Sequence, residues 1–204
     1  MTEIISDKLS TRLNYSRLDR GMGRLTGYIV AEAGDFKDGR GSFNMASLLK
    51  IVDCMNTVPG GVKSHFGHDD QLGKFLGRAR NARIDGPRVR ADLCFDKTAM
   101  DESILGGKPL GQYVMDLAES DPGALNSSLV LRSEKIPRVD PATGKKVFDA
   151  PPIWMPTEIF GSDIVTDGDA THGGLLKKIS PDEDAQARLC ARRHRLRLLK
   201  LKCL

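Results

Sequence analysis

The sequence predicts an α+β fold built on a mainly antiparallel sheet. Three observations carry that expectation. A hairpin signal, Asp85-Gly86, lies between two strand-like arms at 76–84 and 88–95. Apolar residues recur at helical spacing in two separate stretches, near 44–55 and 110–118. Strand and helix signals are mixed without the regular βαβ alternation that a parallel sheet needs. With 204 residues the chain is long enough for one domain with a real core.

In chain order, residues 1–20 are polar and aperiodic and read as an arm. Leu25-Thr26-Gly27-Tyr28-Ile29-Val30-Ala31 reads as a strand, and 34–41 as a turn-rich loop. Asn44 can cap a helix whose face is Leu48, Val52 and Met55, widened by Leu49 and Ile51. Asn56 and Pro59-Gly60-Gly61 end it. In the second hairpin arm Val89, Ala91, Leu93 and Phe95 alternate with Arg88, Arg90, Asp92 and Cys94. Such alternation predicts one apolar and one polar face. Arg78, Arg80, Arg83, Arg88 and Arg90 are therefore expected on a solvated sheet face. Leu110, Val114, Leu117 and Ala118 mark a second helix closed by Asp121-Pro122-Gly123, and 127–132 reads as a strand. Residues 137–156, rich in Pro and Lys with a turn at Asp140-Pro141-Ala142-Thr143-Gly144, read as a protruding hairpin or loop. Residues 159–165 form a short apolar stretch.

Charge is unevenly placed. Seven of the 31 Lys and Arg residues lie in 188–204, which has no acid, leaving 24 bases against 27 acids elsewhere. The body is mildly acidic, so nucleic acid is not an expected partner except through the basic tail. Cys54, Cys94, Cys190 and Cys203 form no Cys-x-x-Cys pair and are expected to be reduced thiols. Met1-Thr2-Glu3-Ile4-Ile5-Ser6-Asp7-Lys8 lacks the basic-then-apolar order of a signal peptide, and no apolar run is long enough to span a membrane. A soluble, intracellular protein is expected.

Two segments carry possible chemistry. Val62-Lys63-Ser64-His65-Phe66-Gly67-His68-Asp69-Asp70 offers a general base, either His65 or His68. Ala124-Leu125-Asn126-Ser127-Ser128-Leu129-Val130-Leu131 offers a nucleophile, either Ser127 or Ser128. A serine hydroxyl needs a nearby base to take its proton, and a base histidine is usually oriented by a third group. Asp163 is the single acid in Phe160-Gly161-Ser162-Asp163-Ile164-Val165, where an unpaired carboxylate would be costly. Glu158, Asp167 and Asp169 compete with it. His65, His68, Asp69 and Asp70 also present a His-x-x-His-Asp order conceivable for zinc. Pro59-Gly60-Gly61 and Gly67 disfavour the helix that would place both histidines on one face, and no His-Glu-x-x-His occurs.

The order and spacing of these segments resemble the prohead (capsid maturation) serine proteases of tailed bacteriophages, relatives of the herpesvirus assemblins. The resemblance begins at Leu25-Thr26-Gly27-Tyr28-Ile29-Val30 and Gly39-Arg40-Gly41. It runs through residues 62–68, Leu72-Gly73-Lys74-Phe75-Leu76-Gly77-Arg78-Ala79-Arg80-Asn81 and Arg88-Val89-Arg90-Ala91-Asp92-Leu93. Tyr113-Val114-Met115-Asp116-Leu117-Ala118-Glu119, the serine strand and Ser162-Asp163-Ile164-Val165 follow.

It implies a protease domain over 23–186 between an arm (1–22) and a basic tail (187–204). It also implies a partly closed β-barrel flanked by helices. His68 matches the family histidine, Ser128 the nucleophile and Asp163 the third member, with no metal or organic cofactor. The implied substrates are major capsid protein and scaffold protein, with self-cleavage and self-association. The implied location is the immature capsid within the bacterial host cytoplasm. Asn126-Ser127 stand where the family often has Gly and an apolar residue. This departure and the tail motivate a second expectation, a non-catalytic assembly or scaffold component that keeps the fold. A metal-dependent hydrolase using His65 and His68 is a third.

Overall fold

The structure is a computed structural model describing residues 17–68, 72–103, 107–140, 142–147, 149–171 and 175–176. It is an α+β fold with a mixed, mostly antiparallel sheet. The strands are β1 (Arg17–Asp19), β2 (Arg24–Glu32), β3 (Gly34–Asp35), β4 (Ser42–Phe43), β5 (Val62–His65), β6 (Phe75–Asp85), β7 (Arg88–Phe95), β8 (Asn126–Ile136) and β9 (Ile153–Val165). The helices are α1 (Met45–Thr57), α2 (Lys97–Asp101) and α3 (Leu110–Ser120). The sheet order is β1-β2-β7-β6-β5-β9-β4-β3, with β8 also paired to β9. The arm expected over 1–22 thus gives up residues 17–19 to a strand on the β2 edge. The basic tail at 187–204 lies outside the described residues.

Helix α1 forms where its cap and apolar period agree. Asn44 accepts from Ser47 N at 2.9 Å, and Ser47 Oγ accepts from Asn44 N at 3.2 Å, a reciprocal capping box. Leu48, Ile51 and Met55 are buried on one face, each side chain worth about 1.5–3 kcal/mol of burial. The last turn docks through Asn56, which pairs with both backbone groups of Ala82 at 2.9 and 3.0 Å. Those groups are freed by a bulge in β6 between Arg80 and Arg83.

The β6–β7 hairpin closes through Gly86-Pro87, because Asp85 and Arg88 are already a ladder pair. Gly86 has φ 61°, and proline cannot follow it there with positive φ. That makes a II′ turn, whose twist suits a hairpin.

The expected polar face of β7 is not solvated. Arg88, Arg90 and Asp92 are all buried. β7 lies mid-sheet between β2 and β6, so its charges are matched within the protein rather than by water. Arg88 pairs with Glu32, and Arg90 pairs with Asp85 and donates to Gly27 O at 2.6 Å. Asp92 accepts from Arg24 at 2.7 Å, Gly27 N at 2.9 Å, Asn81 at 3.0 Å and Arg83 at 3.1 Å. Gly27 and Asn81 sit at the bulges of the two flanking strands, with φ 70° and 55°. One carboxylate therefore ties both bulges to the central strand. Arg80 is exposed, and Arg78 and Arg83 are half-buried.

β9 is the longest strand and positions the site. β8 pairs along one edge, from Asn126↔Val165 to Ile136↔Ile153. On its other edge β9 runs parallel to β5 at Gly161 and to β4 at Ile153. The sheet is not closed into a barrel. Beyond β9, Ile29 N donates to Leu175 O at 2.9 Å, and Leu175 N donates to Leu125 O at 2.8 Å, which links β2 to the entrance of β8. No helix of the described residues is long and apolar enough to cross a membrane. Cys54 and Cys94 are free thiols, whereas Cys190 and Cys203 lie outside the described residues.

Candidate active site

The two serines point to opposite sides of β8 because strand side chains alternate. Ser127 is fully buried, with Oγ 3.4 Å from Ser162 Oγ. Ser162 in turn bonds the hydroxyl of buried Tyr28 at 2.8 Å. Burial pushes the Tyr28 phenol well above its ordinary range, so this cluster is neutral. Ser127 is thus a core hydroxyl with satisfied polar neighbours.

Ser128 is half-buried and faces the other way. It stands opposite Asp163 in the β8–β9 ladder. Directly opposed residues share a face, with Cβ atoms about 4.5–5.5 Å apart. Asp163 is 4% exposed at its side chain. Its Oδ2 lies 3.2 Å from His68 Nδ1. Its Oδ1 accepts from His65 N at 3.0 Å and lies 3.3 Å from His65 Nδ1. The buried carboxylate predicted to need a partner therefore has two, both from the segment that follows α1.

Chain geometry explains the convergence. β5 is parallel to β9 at Lys63↔Gly161, and Phe66 bridges to Ile164. His65 thus falls level with Asp163, and its N–H meets the side chain of Asp163. Gly67 then turns the chain with φ 78° while its N–H bonds Ile164 O at 2.8 Å. That turn returns His68 over the carboxylate. Its side chain is 55% exposed, in contrast to 13% for His65.

Ser128, His68 and Asp163 line one cleft of about 480 Å³. Its far wall is aromatic. Phe36 meets Phe43 edge-on at 4.7 Å and Trp154 at 5.3 Å. Trp154 Nε1 donates to Arg40 O at 3.2 Å. Gly41 allows that approach, since a Cβ there would lie 2.2 Å from the indole nitrogen. Arg40 and Asp169 pair at 3.1 Å beside the cleft. No hydrogen bond joins Ser128 to His68 among the described residues.

The competing acids lie in other pairs. Glu158 bonds Arg132 at 2.8 Å, Asp167 bonds Lys37 at 2.8 Å, and Asp169 bonds Arg40. Among the described residues no three potential metal ligands cluster. Both histidines direct Nδ1 at a carboxylate oxygen, and Asp69 and Asp70 lie outside the described residues. The aromatic wall was invisible locally, because Trp154 lies far along the chain from Phe36 and Phe43. The contact of His65 with Asp163 was likewise hidden, although the His-x-x-His spacing drew attention to the residue.

Compared with protein-family models, with curated proteins and with solved structures, the chain matches none.

Proposed function

We propose that this chain is a serine endopeptidase that cleaves capsid protein, scaffold protein and itself during maturation of a tailed-phage prohead. The observation that carries the chemistry is His68 Nδ1 against the buried Asp163, with Ser128 opposite that carboxylate in the β8–β9 ladder and all three on one cleft. The capsid context rests on the order of segments that resembles the prohead proteases. In the same reading the sheet curls into a partly closed barrel, supported by the Ile29–Leu175–Leu125 backbone link. The enzyme works within the immature shell in the host cytoplasm and associates with copies of itself.

Ser128 Oγ attacks the scissile carbonyl carbon. His68 Nε2 takes the hydroxyl proton and returns it to the leaving amine as the C–N bond breaks. Asp163 holds the proton on Nδ1 and offsets the imidazolium charge. Backbone N–H groups stabilise the oxyanion, and water then hydrolyses the acyl-serine. The aromatic wall would hold an apolar part of the peptide.

The test is labelling of the full chain with a fluorophosphonate, together with co-expression of capsid and scaffold protein. Wild type is expected to label and to cleave, and Ser128→Ala to do neither. Binding of capsid protein without labelling or turnover would replace the enzyme with a non-catalytic assembly component. Chelator-sensitive activity restored by zinc would replace it with a metal hydrolase.

A further inference from the structure

We propose that His65 is a positioning residue, whose ring Nδ1–H, together with its own backbone N–H, holds Asp163 in the orientation that presents Oδ2 to His68. The inference rests on the serine-protease reading of the same site.

The geometry is specific. Both nitrogens come from one residue and converge on one carboxylate oxygen, at 3.0 Å from the backbone N–H and 3.3 Å from ring Nδ1. A carboxylate has two oxygens, and fixing one fixes the other. With Oδ1 held by His65, Oδ2 is left at 3.2 Å from His68 Nδ1. The holding group is itself rigid. Its side chain is only 13% exposed, and its ring rests 5.7 Å from that of Phe75 on β6. His68 is the reverse, a half-exposed ring after a glycine turn. The order needed at His68 must therefore come from Asp163, and the order at Asp163 from β5.

The other polar groups around Asp163 do not duplicate this. Ser128 faces it from β8. Lys63 lies with it along a neighbouring groove, and Arg40 and Asp169 line the cleft. Tyr28 on β2 is spent on Ser162.

A histidine's tautomer is set by the hydrogen bond its other nitrogen makes. If Asp163 is held, neutral His68 carries its proton on Nδ1 and keeps Nε2 bare for a serine proton. If Asp163 is loosened, His68 drifts to the Nε2–H form and the base is lost. Nitrogen-15 correlation spectra of the imidazoles in the full-length protein read this directly, with or without turnover.

In wild type, neutral His65 and neutral His68 are both expected as Nδ1–H. His65→Phe keeps the ring packing and removes the donor. It should shift His68 toward Nε2–H and lower kcat by about tenfold to a hundredfold with little change in KM. His65→Asn keeps a donor near the Nδ1 position and should retain the wild-type His68 tautomer.

A folded His65→Phe with His68 unchanged overturns the proposal. So does a His65→Asn that behaves like His65→Phe, because packing would then be the cause. If His65→Phe does not fold, wild type still decides, since a bare Nδ1 on His65 also overturns it. Absence of fluorophosphonate labelling beside the expected tautomers would remove the protease reading and leave the positioning role standing.

Discussion

Ser128 and Asp163 stand directly opposite one another across the β8–β9 ladder, and the carboxylate meets His68 at 3.2 Å. Adjacent Ser127, one residue earlier, is sealed in the core against Ser162. A period of two thus separates a cleft serine from a structural one.

That separation predicts opposite outcomes for the two serines. Ser128→Ala should lower peptide-bond cleavage by about 10⁴-fold or more, with an unfolding midpoint near that of wild type. Ser127→Ala should keep activity and cost about 1 kcal/mol, because a buried hydroxyl contact is lost. Cleavage of co-expressed capsid protein and denaturant melts of each variant check both. An active Ser128→Ala with an inactive Ser127→Ala would reverse the assignment.

Asp163→Asn keeps the shape of the side chain but can donate to a histidine nitrogen. His68 should then take the wrong tautomer, and kcat should fall by about 10³–10⁴-fold while substrate binding changes little. Steady-state kinetics on a peptide substrate would show this. A variant within tenfold of wild type would mean that Asp163 has no part in the chemistry.

Asp92 makes acid stability predictable. Burial pushes its carboxyl up, but hydrogen bonds from Asn81 and Gly27 N and the charge of Arg83 outweigh that and hold it below its ordinary value. A depressed carboxyl contributes stability that is fully present above the unfolded value of about 3.9 and lost as pH falls through the folded one. Asp92→Asn should therefore destabilise by about 3 kcal/mol at pH 7, where Arg24 and Arg83 lose their counter-charge. The gap to wild type should narrow steadily below about pH 4. Urea melts from pH 7 to pH 2.5 test the trend, and a gap that widens in acid would contradict it.

Trp154 is the chain's single tryptophan and lines the cleft. Gly41→Ala places a methyl group against its indole nitrogen. The ring should be displaced, with red-shifted emission, and cleavage should weaken mainly through KM. Unchanged fluorescence and kinetics would show that the aromatic wall does not shape the cleft.

Much of the frame was legible locally. The Asn44 cap, the helix face through Leu48 and Met55 and the β6–β7 hairpin all depend on neighbouring residues, although Ile51 rather than the expected Val52 is the buried centre of that face. The lone acid in the apolar run around Asp163 was legible too, because burying a carboxylate demands a partner. What could not be read was which partner, or which face of a strand lies inside. Arg88, Arg90 and Asp92 alternate as a surface face would, yet they are buried. Their counter-charges come from Arg24, Glu32, Asp85 and Arg83 on neighbouring strands.

By itself, the sequence determined α1, α3, β2, the β6–β7 hairpin and the start of β8, together with the two chemical segments and the need to pair Asp163. Only the tertiary structure decided that Ser128 faces the cleft, that Ser127 is core, and that His65 and His68 share one carboxylate. Alternation and periodicity are properties of neighbouring residues. The side of a strand that meets solvent, and the groups that meet a buried charge, depend on pairings between β5, β8 and β9, which lie far apart along the chain.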